Sequence, residues 1–243
     1  MKKLILILTV LVLFSSCALE NGFIQENKLS LKDCGNTEIK VNDIFKELSA
    51  IHLENNRNCF MKYIVKIIPF KNHYYILGGA EQSKLYVFNS HGKFIRIIGA
   101  IGHGHGEYID PSDFTIDKDG KRIVILSDPH KILVYDLNGD FKFSRTLKEA
   151  GFWHISWNKN KFLFATKNFD YNKDQLYLYD SDFNFLEKWG QAIPGAFGSV
   201  PLMTSVLQND NNKTYYFEET ARKIYSFDNL DMETAKTYDF AIP

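Results

Sequence analysis

Six residues of this sequence are of types that could touch a ligand: His103, His105, Glu107 and Tyr108 in one glycine-rich stretch, and Trp153 with His154 in an aromatic one. In Ile98-Gly99-Ala100-Ile101-Gly102-His103-Gly104-His105-Gly106-Glu107-Tyr108, glycines with two imidazoles could make a metal or anion site. The histidines are two apart, so an extended backbone turns them to opposite sides, which suits shared coordination poorly. No strand followed by a helix frames the loop, as a phosphate cradle requires. Glycines here also permit tight turns and close packing, with Glu107 and Tyr108 bonded to a neighbouring sheet, and this structural role is the preferred reading. In Phe152-Trp153-His154-Ile155-Ser156-Trp157, the rings could stack a sugar or another planar ligand, although filling an interface is preferred. No Ser nucleophile elbow, HExxH helix or CxxC pair occurs. We therefore assign no catalytic residue, no metal set and no cofactor.

The elements that would position these residues repeat. Four segments align, Lys84 to Phe94, Lys131 to Phe141, Gln175 to Phe185 and Lys223 to Leu230, with Asn89, Asp136, Asp180 and Asp228 equivalent at intervals of 47, 44 and 48 residues. That period is the length of a four-stranded propeller blade. In each copy an alternating apolar run stops at Asn or Asp and passes a short polar turn, with Gly92 and Gly139 supplying positive φ in two copies. Lys118-Asp119-Gly120 makes a second hairpin in the same blade, between 113–117 and 122–127. The expected fold is all-β, a β-propeller of four-stranded antiparallel blades, with blades at about 63–99, 113–147, 152–190 and 199–240 of a 45–243 domain. Leu48 to Glu54 alternates as one further strand, expected to complete the last blade and cover its edge. Val41 to Leu48 could make a short helical turn or an irregular lead-in. Polar residues at the starts of the presumed innermost strands are Lys66, Asp113, Thr115, His154 and Thr204, with no recurrent His or carboxylate.

Composition bounds the function. The chain has 243 residues, 45% of them hydrophobic, and 29 basic groups balance 29 acidic ones, so the footprint of a nucleic-acid binder is missing. Lys2 and Lys3 precede an apolar run from Leu4 to Phe14, too short to span a bilayer but right for an export signal over residues 1–16. Phe14-Ser15-Ser16-Cys17 resembles a bacterial lipobox, which implies cleavage before Cys17 and lipidation of its thiol, residues 17–44 serving as tether and lead-in. Simple secretion is the alternative. Removal of residues 1–16 leaves a net charge of −2. Cys34 and Cys59 could then pair or stay free.

Ile98 to Tyr108, Asp113-Phe114 and Val134-Tyr135-Asp136-Leu137-Asn138-Gly139 resemble the six-bladed β-propeller lipoproteins of Bacteroidota, with NHL-like repeats. Members of that family carry Arg and Pro where this chain has His103 and His105. The resemblance implies a partial six-bladed ring, truncated at the C-terminal side, in the cell envelope, most readily at the outer membrane. The function expected is a lipid-anchored binding or scaffolding module whose partners are the membrane and a protein or glycan ligand. The alternative is a metal-dependent envelope hydrolase or lyase, as some NHL-type propellers are.

Overall fold

The computed structural model describes residues 25–30, 40, 46, 48–127, 130–148, 151–166, 174–191, 206–210, 213–218 and 223–241. After β1 (Gln25–Ser30), the first sheet runs β2 (Tyr63–Phe70), β3 (His73–Gly79), β4 (Ser83–Asn89) and β5 (Phe94–Ile98) in sequence order. A short parallel pair, β6 (Ala100–Ile101) and β7 (Glu107–Tyr108), connects it to the next. The second sheet comprises β8 (Pro111–Asp117), β9 (Arg122–Ser127), β10 (Lys131–Asp136) and β11 (Phe141–Thr146). The third comprises β12 (Phe152–Asn158), β13 (Lys161–Thr166), β14 (Asp174–Asp180) and β15 (Phe185–Gln191). The fourth comprises β16 (Leu207–Asp210), β17 (Lys213–Glu218), β18 (Lys223–Asp228) and β19 (Lys236–Ala241). The first strands β2, β8, β12 and β16 neighbour one another in that order, so the sheets are four successive blades of a β-propeller. Among the described residues the only helical element is a 3₁₀ turn at Met232–Thr234.

Burial explains why the middle strands read as unbroken apolar runs. In β9, Ile123 and Ile125 pack toward the first blade, while Val124 and Leu126 pack toward the third. Both faces are buried, so alternation disappears. The first strand of each later blade carries the interface: Phe114 and Ile116 lie against Tyr75, Leu77 and Leu85 of the first blade, and Ile155 and Trp157 lie against Val124 and Leu126 of the second. Leu207 repeats the arrangement against Leu163 and Leu176. On the outer rim Arg122 and Arg145 of the second blade donate to the carbonyls of Ser181 (3.0 Å) and Phe183 (3.3 Å) in the third, and Arg96 of the first donates to that of Asn138.

The repeated Asn or Asp closes the turn between the third and fourth strands. Asn89 Oδ1 accepts from the amides of His91 (2.9 Å) and Lys93 (3.0 Å). Asp136 Oδ1 does the same for Asn138 and Asp140, and Asp180 Oδ1 for Asp182 and Asn184. Gly92 and Gly139 follow at φ 75° and 93°, but the third blade puts Phe183 there at φ 59°. Its buried ring stacks on Phe162 at 4.4 Å, packing that offsets the strain of a left-handed phenylalanine.

The lead-in differs from expectation. Leu48 to Glu54 forms no strand, and the strand added to the fourth blade is β1, parallel to β19. Residues 53–61 instead cover one face of the first blade, where Leu53, Cys59 and Met61 pack with Tyr86 and Phe88. Glu54 is fixed there, its amide donating to Gly92 O (2.7 Å) and its Oε2 accepting from Phe94 N (3.1 Å). Of the apolar alternation that suggested a strand, only Leu53 reaches the blade, while Leu48 and Ile51 stay exposed. The helical turn weighed for Val41 to Leu48 falls mostly outside the described residues.

Candidate ligand-binding channel

The first strands of all four blades enclose a cavity of about 650 Å³. Its lining is mixed: Lys66 and Ile68 from β2, Thr115 from β8, Ser156 and Asn158 from β12, and Gln208 and Asn209 from β16 contribute, with Lys118, Asp119 and Lys159 at one mouth.

Each of the first three inner strands carries a β-bulge at the same place, at Val65, Ser112 and Trp153. A bulge re-aims the side chain that follows it. Those side chains are Lys66, Asp113 and His154, opposite Leu77, Leu126 and Ala165 in their respective partner strands. They converge. Lys66 Nζ donates to Asp113 Oδ1 at 2.9 Å and to the carbonyl of Ile155 at 3.0 Å. Asp113 Oδ2 accepts from Ile155 N at 3.0 Å, and His154 Nδ1 stands 3.6 Å from the same oxygen. In the fourth blade the position falls to apolar Val206, whose carbonyl accepts from Phe217 N.

Asp113 is fully buried. Burial alone would push its carboxyl up, but the Lys66 ammonium, then His154, outweigh it and hold the group below the ordinary carboxylate range. The network joins three blades through one carboxylate, and a lone His with a lone Asp makes no metal cage. Among the described residues no three His, Cys, Asp or Glu side chains converge. Near the mouth lined by Lys118 and Lys159, Asn158 Nδ2 donates to Thr214 Oγ1 (3.1 Å), which donates to Asn209 Oδ1 (2.9 Å). Asn209 Nδ2 in turn donates to Trp157 O (2.8 Å), so the third and fourth blades are tied by a polar chain along the channel wall.

The glycine-rich loop lies elsewhere, between the first two blades. Glu107 Oε2 accepts from Gly104 N at 2.7 Å, and a Cβ at Gly102 would fall 2.1 Å from that oxygen. Tyr108 is buried, donates to Ile98 O at 2.9 Å and accepts from Leu85 N at 3.3 Å. Burial pushes its phenol up to about 12. His103 and His105 are exposed, the latter edge-on to Phe141 at 4.6 Å. None of these four lines the channel. In the aromatic stretch, Trp153 is half-buried at its bulge, His154 belongs to the Asp113 network, and Trp157 is 6% exposed, packed on Phe162 at 4.5 Å. The three rings therefore do not form one exposed stacking platform. Cys59 is a free, buried thiol donating to Glu54 O at 3.1 Å, while Cys17, Cys34 and Thr204 lie outside the described residues. Sequence reading passed over Ser156, Gln208 and the turn lysines Lys118 and Lys159, because only the radial arrangement makes them neighbours.

With this geometry in place, the sequence profile described as a domain of unknown function (DUF4934) matches residues 27–242. The chain belongs to the DUF4934 family. Among solved structures, this DUF4934 chain is similar to a Bacteroides fragilis NCTC 9343 protein named as an exported protein, at TM-score 0.68 and 22% identity over 90% of this chain and 60% of that one. That likeness is one of fold, and the chain spans 60% of the length of that structure. BamB from Moraxella catarrhalis gives a TM-score of 0.46 at 15% identity, over 68% of this chain and 46% of that one. The computationally designed Ika8 protein gives 0.47 at 12% identity, over 79% and 65%. No curated protein matches in sequence.

Proposed function

We propose that this DUF4934 chain is a lipid-anchored binding module of the cell envelope that takes its ligand into the channel between the blades. The observation that carries the reading is the 650 Å³ cavity, to which the first strand of every blade contributes polar groups. Polar groups that converge in a concavity where several sheets meet are a usual mark of a ligand site. Export is supported by the signal-like residues 1–16 and by the exported-protein name of the Bacteroides neighbour, and the anchor by Cys17 after Phe14-Ser15-Ser16. An outer-membrane place and a six-bladed ring belong to the same reading. The ring is supported by the first blade's open flank, where Ile67 is 48% exposed although its equivalents Phe114 and Ile155 are fully buried.

Gln208→Trp tests the site. Gln208 is exposed and lines the channel, so a bulky ring there should leave the melting temperature in place while abolishing the gain in melting temperature given by any ligand found in a glycan and peptide screen. A ligand whose effect survives the substitution binds elsewhere. Incorporation of labelled palmitate that disappears in Cys17→Ser would support the anchor, and its absence from the wild-type chain would remove it.

A further inference from the structure

The turns between the first and second strands of the blades cluster at one mouth of the channel, and they are rich in lysine. Lys118 and Lys159 line the cavity itself, and Lys71 and Lys121 occupy the same kind of turn, all four exposed. Acidic groups there are few. Asp119 lines the cavity, whereas Asp117 is held by Arg122 in two bonds of 2.9 and 2.6 Å. The fourth turn, with its tip at 211–212 outside the described residues, is flanked by Asp210 and Lys213 and adds no net charge. This local excess stands against a chain whose basic and acidic groups balance at 29 each.

Turn chemistry alone does not account for the lysines. Lys71-Asn72 has φ values of 47° and 58°, and Lys159-Asn160 has 43° and 62°. Two-residue hairpin turns with both residues left-handed favour Asn or Gly at the first place, because a longer side chain meets its own backbone there. Both blades hold a lysine at that place. Below the turns Thr115, Ser156 and Gln208 line the wall with hydroxyl and amide groups, a chemistry that both donates and accepts. Lys66 has three N–H donors, two of them taken by Asp113 and Ile155.

From cationic turns above a hydroxyl- and amide-lined cavity, we infer that the channel selects an acidic oligosaccharide, one that carries carboxylate or sulfate groups. This rests on the channel being the binding site. The lysine mouth attracts and orients the anionic groups, and the wall exchanges hydrogen bonds with sugar hydroxyls. Among the alternatives, a neutral glycan would use the wall alone.

The test is calorimetric titration of the mature chain with tetragalacturonate, and with galactotetraose as the uncharged match, at low and physiological ionic strength. Tetragalacturonate should bind more tightly and weaken with salt. The Lys118→Gln/Lys159→Gln variant should lower its affinity about fivefold or more without changing the weaker affinity for galactotetraose. Equal affinity for the two sugars, a preference that survives the double variant, or no binding of either would each overturn the inference. Gln208→Trp separates the premises: it should abolish binding of both sugars, and unchanged binding there would overturn the channel itself.

Discussion

Asp113 is the residue on which three blades depend. Asp113→Asn leaves the Lys66 ammonium, 13% exposed, without its carboxylate, and stranding one partner of a buried pair costs about 3–5 kcal/mol, measurable by urea unfolding. The sign with pH follows from its lowered value. The ionised form is favoured in the folded chain, so its stabilisation is complete above the ordinary value of 3.8 and is lost as pH falls through the lowered one. We expect the wild-type chain to lose stability in acid over that window more steeply than Asp113→Asn, and parallel curves would disprove the role. Tyr108 acts at the opposite end of the scale. Its phenol is raised from 10.0 to about 12, so stability present below pH 10 should be lost between those values. Tyr108→Phe should remove that alkaline loss and cost about 1–2 kcal/mol, because it unpairs the buried Leu85 amide. Lys66, Asp113 and His154 were legible singly as inner-strand polar residues, but their meeting was not. It depends on bulges at Val65, Ser112 and Trp153, which leave no mark in composition or periodicity.

The strands and turns show how local chemistry is read and where it misleads. The equivalence of Asn89, Asp136 and Asp180 was legible because an Asx side chain bonds amides two and four residues on, a relation within one short segment. Asp180→Ala should cost about 0.5–2 kcal/mol by freeing the Asp182 and Asn184 amides, and a thermal melt unchanged from wild type would show the turn to be held by packing alone. Phe183 is the place where the rule bends. It takes the glycine position at φ 59° because its ring is needed against Phe162, and Phe183→Gly should therefore destabilise the chain in spite of the relieved backbone. Leu48 to Glu54 misleads because its alternation is not matched by burial: Leu48 and Ile51 stay exposed, only Leu53 packs on the first blade, and β1 takes the edge of the fourth.

At the scale of the molecule, the repeat interval gave the propeller only together with the strand and hairpin pattern inside each copy, because a period in the forties is shared with helical repeats. What the interval could not give was the flank of the first blade. Ile64, Ile67 and Pro69 are exposed there, while Phe152, Ile155 and Trp157 fill the equivalent positions inside an interface. Such a flank should make the chain self-associate as its concentration rises, and Ile67→Glu should restore a monomer in sedimentation velocity; a wild-type chain that stays monomeric throughout would mean that the flank is covered. The channel is the one feature to which every blade contributes. Diffraction from crystals of the mature chain soaked in tetragalacturonate tests it most directly: density between β2, β8, β12 and β16 is the expected result, and density confined to the glycine-rich loop or the outer strands, with the channel empty, would contradict it.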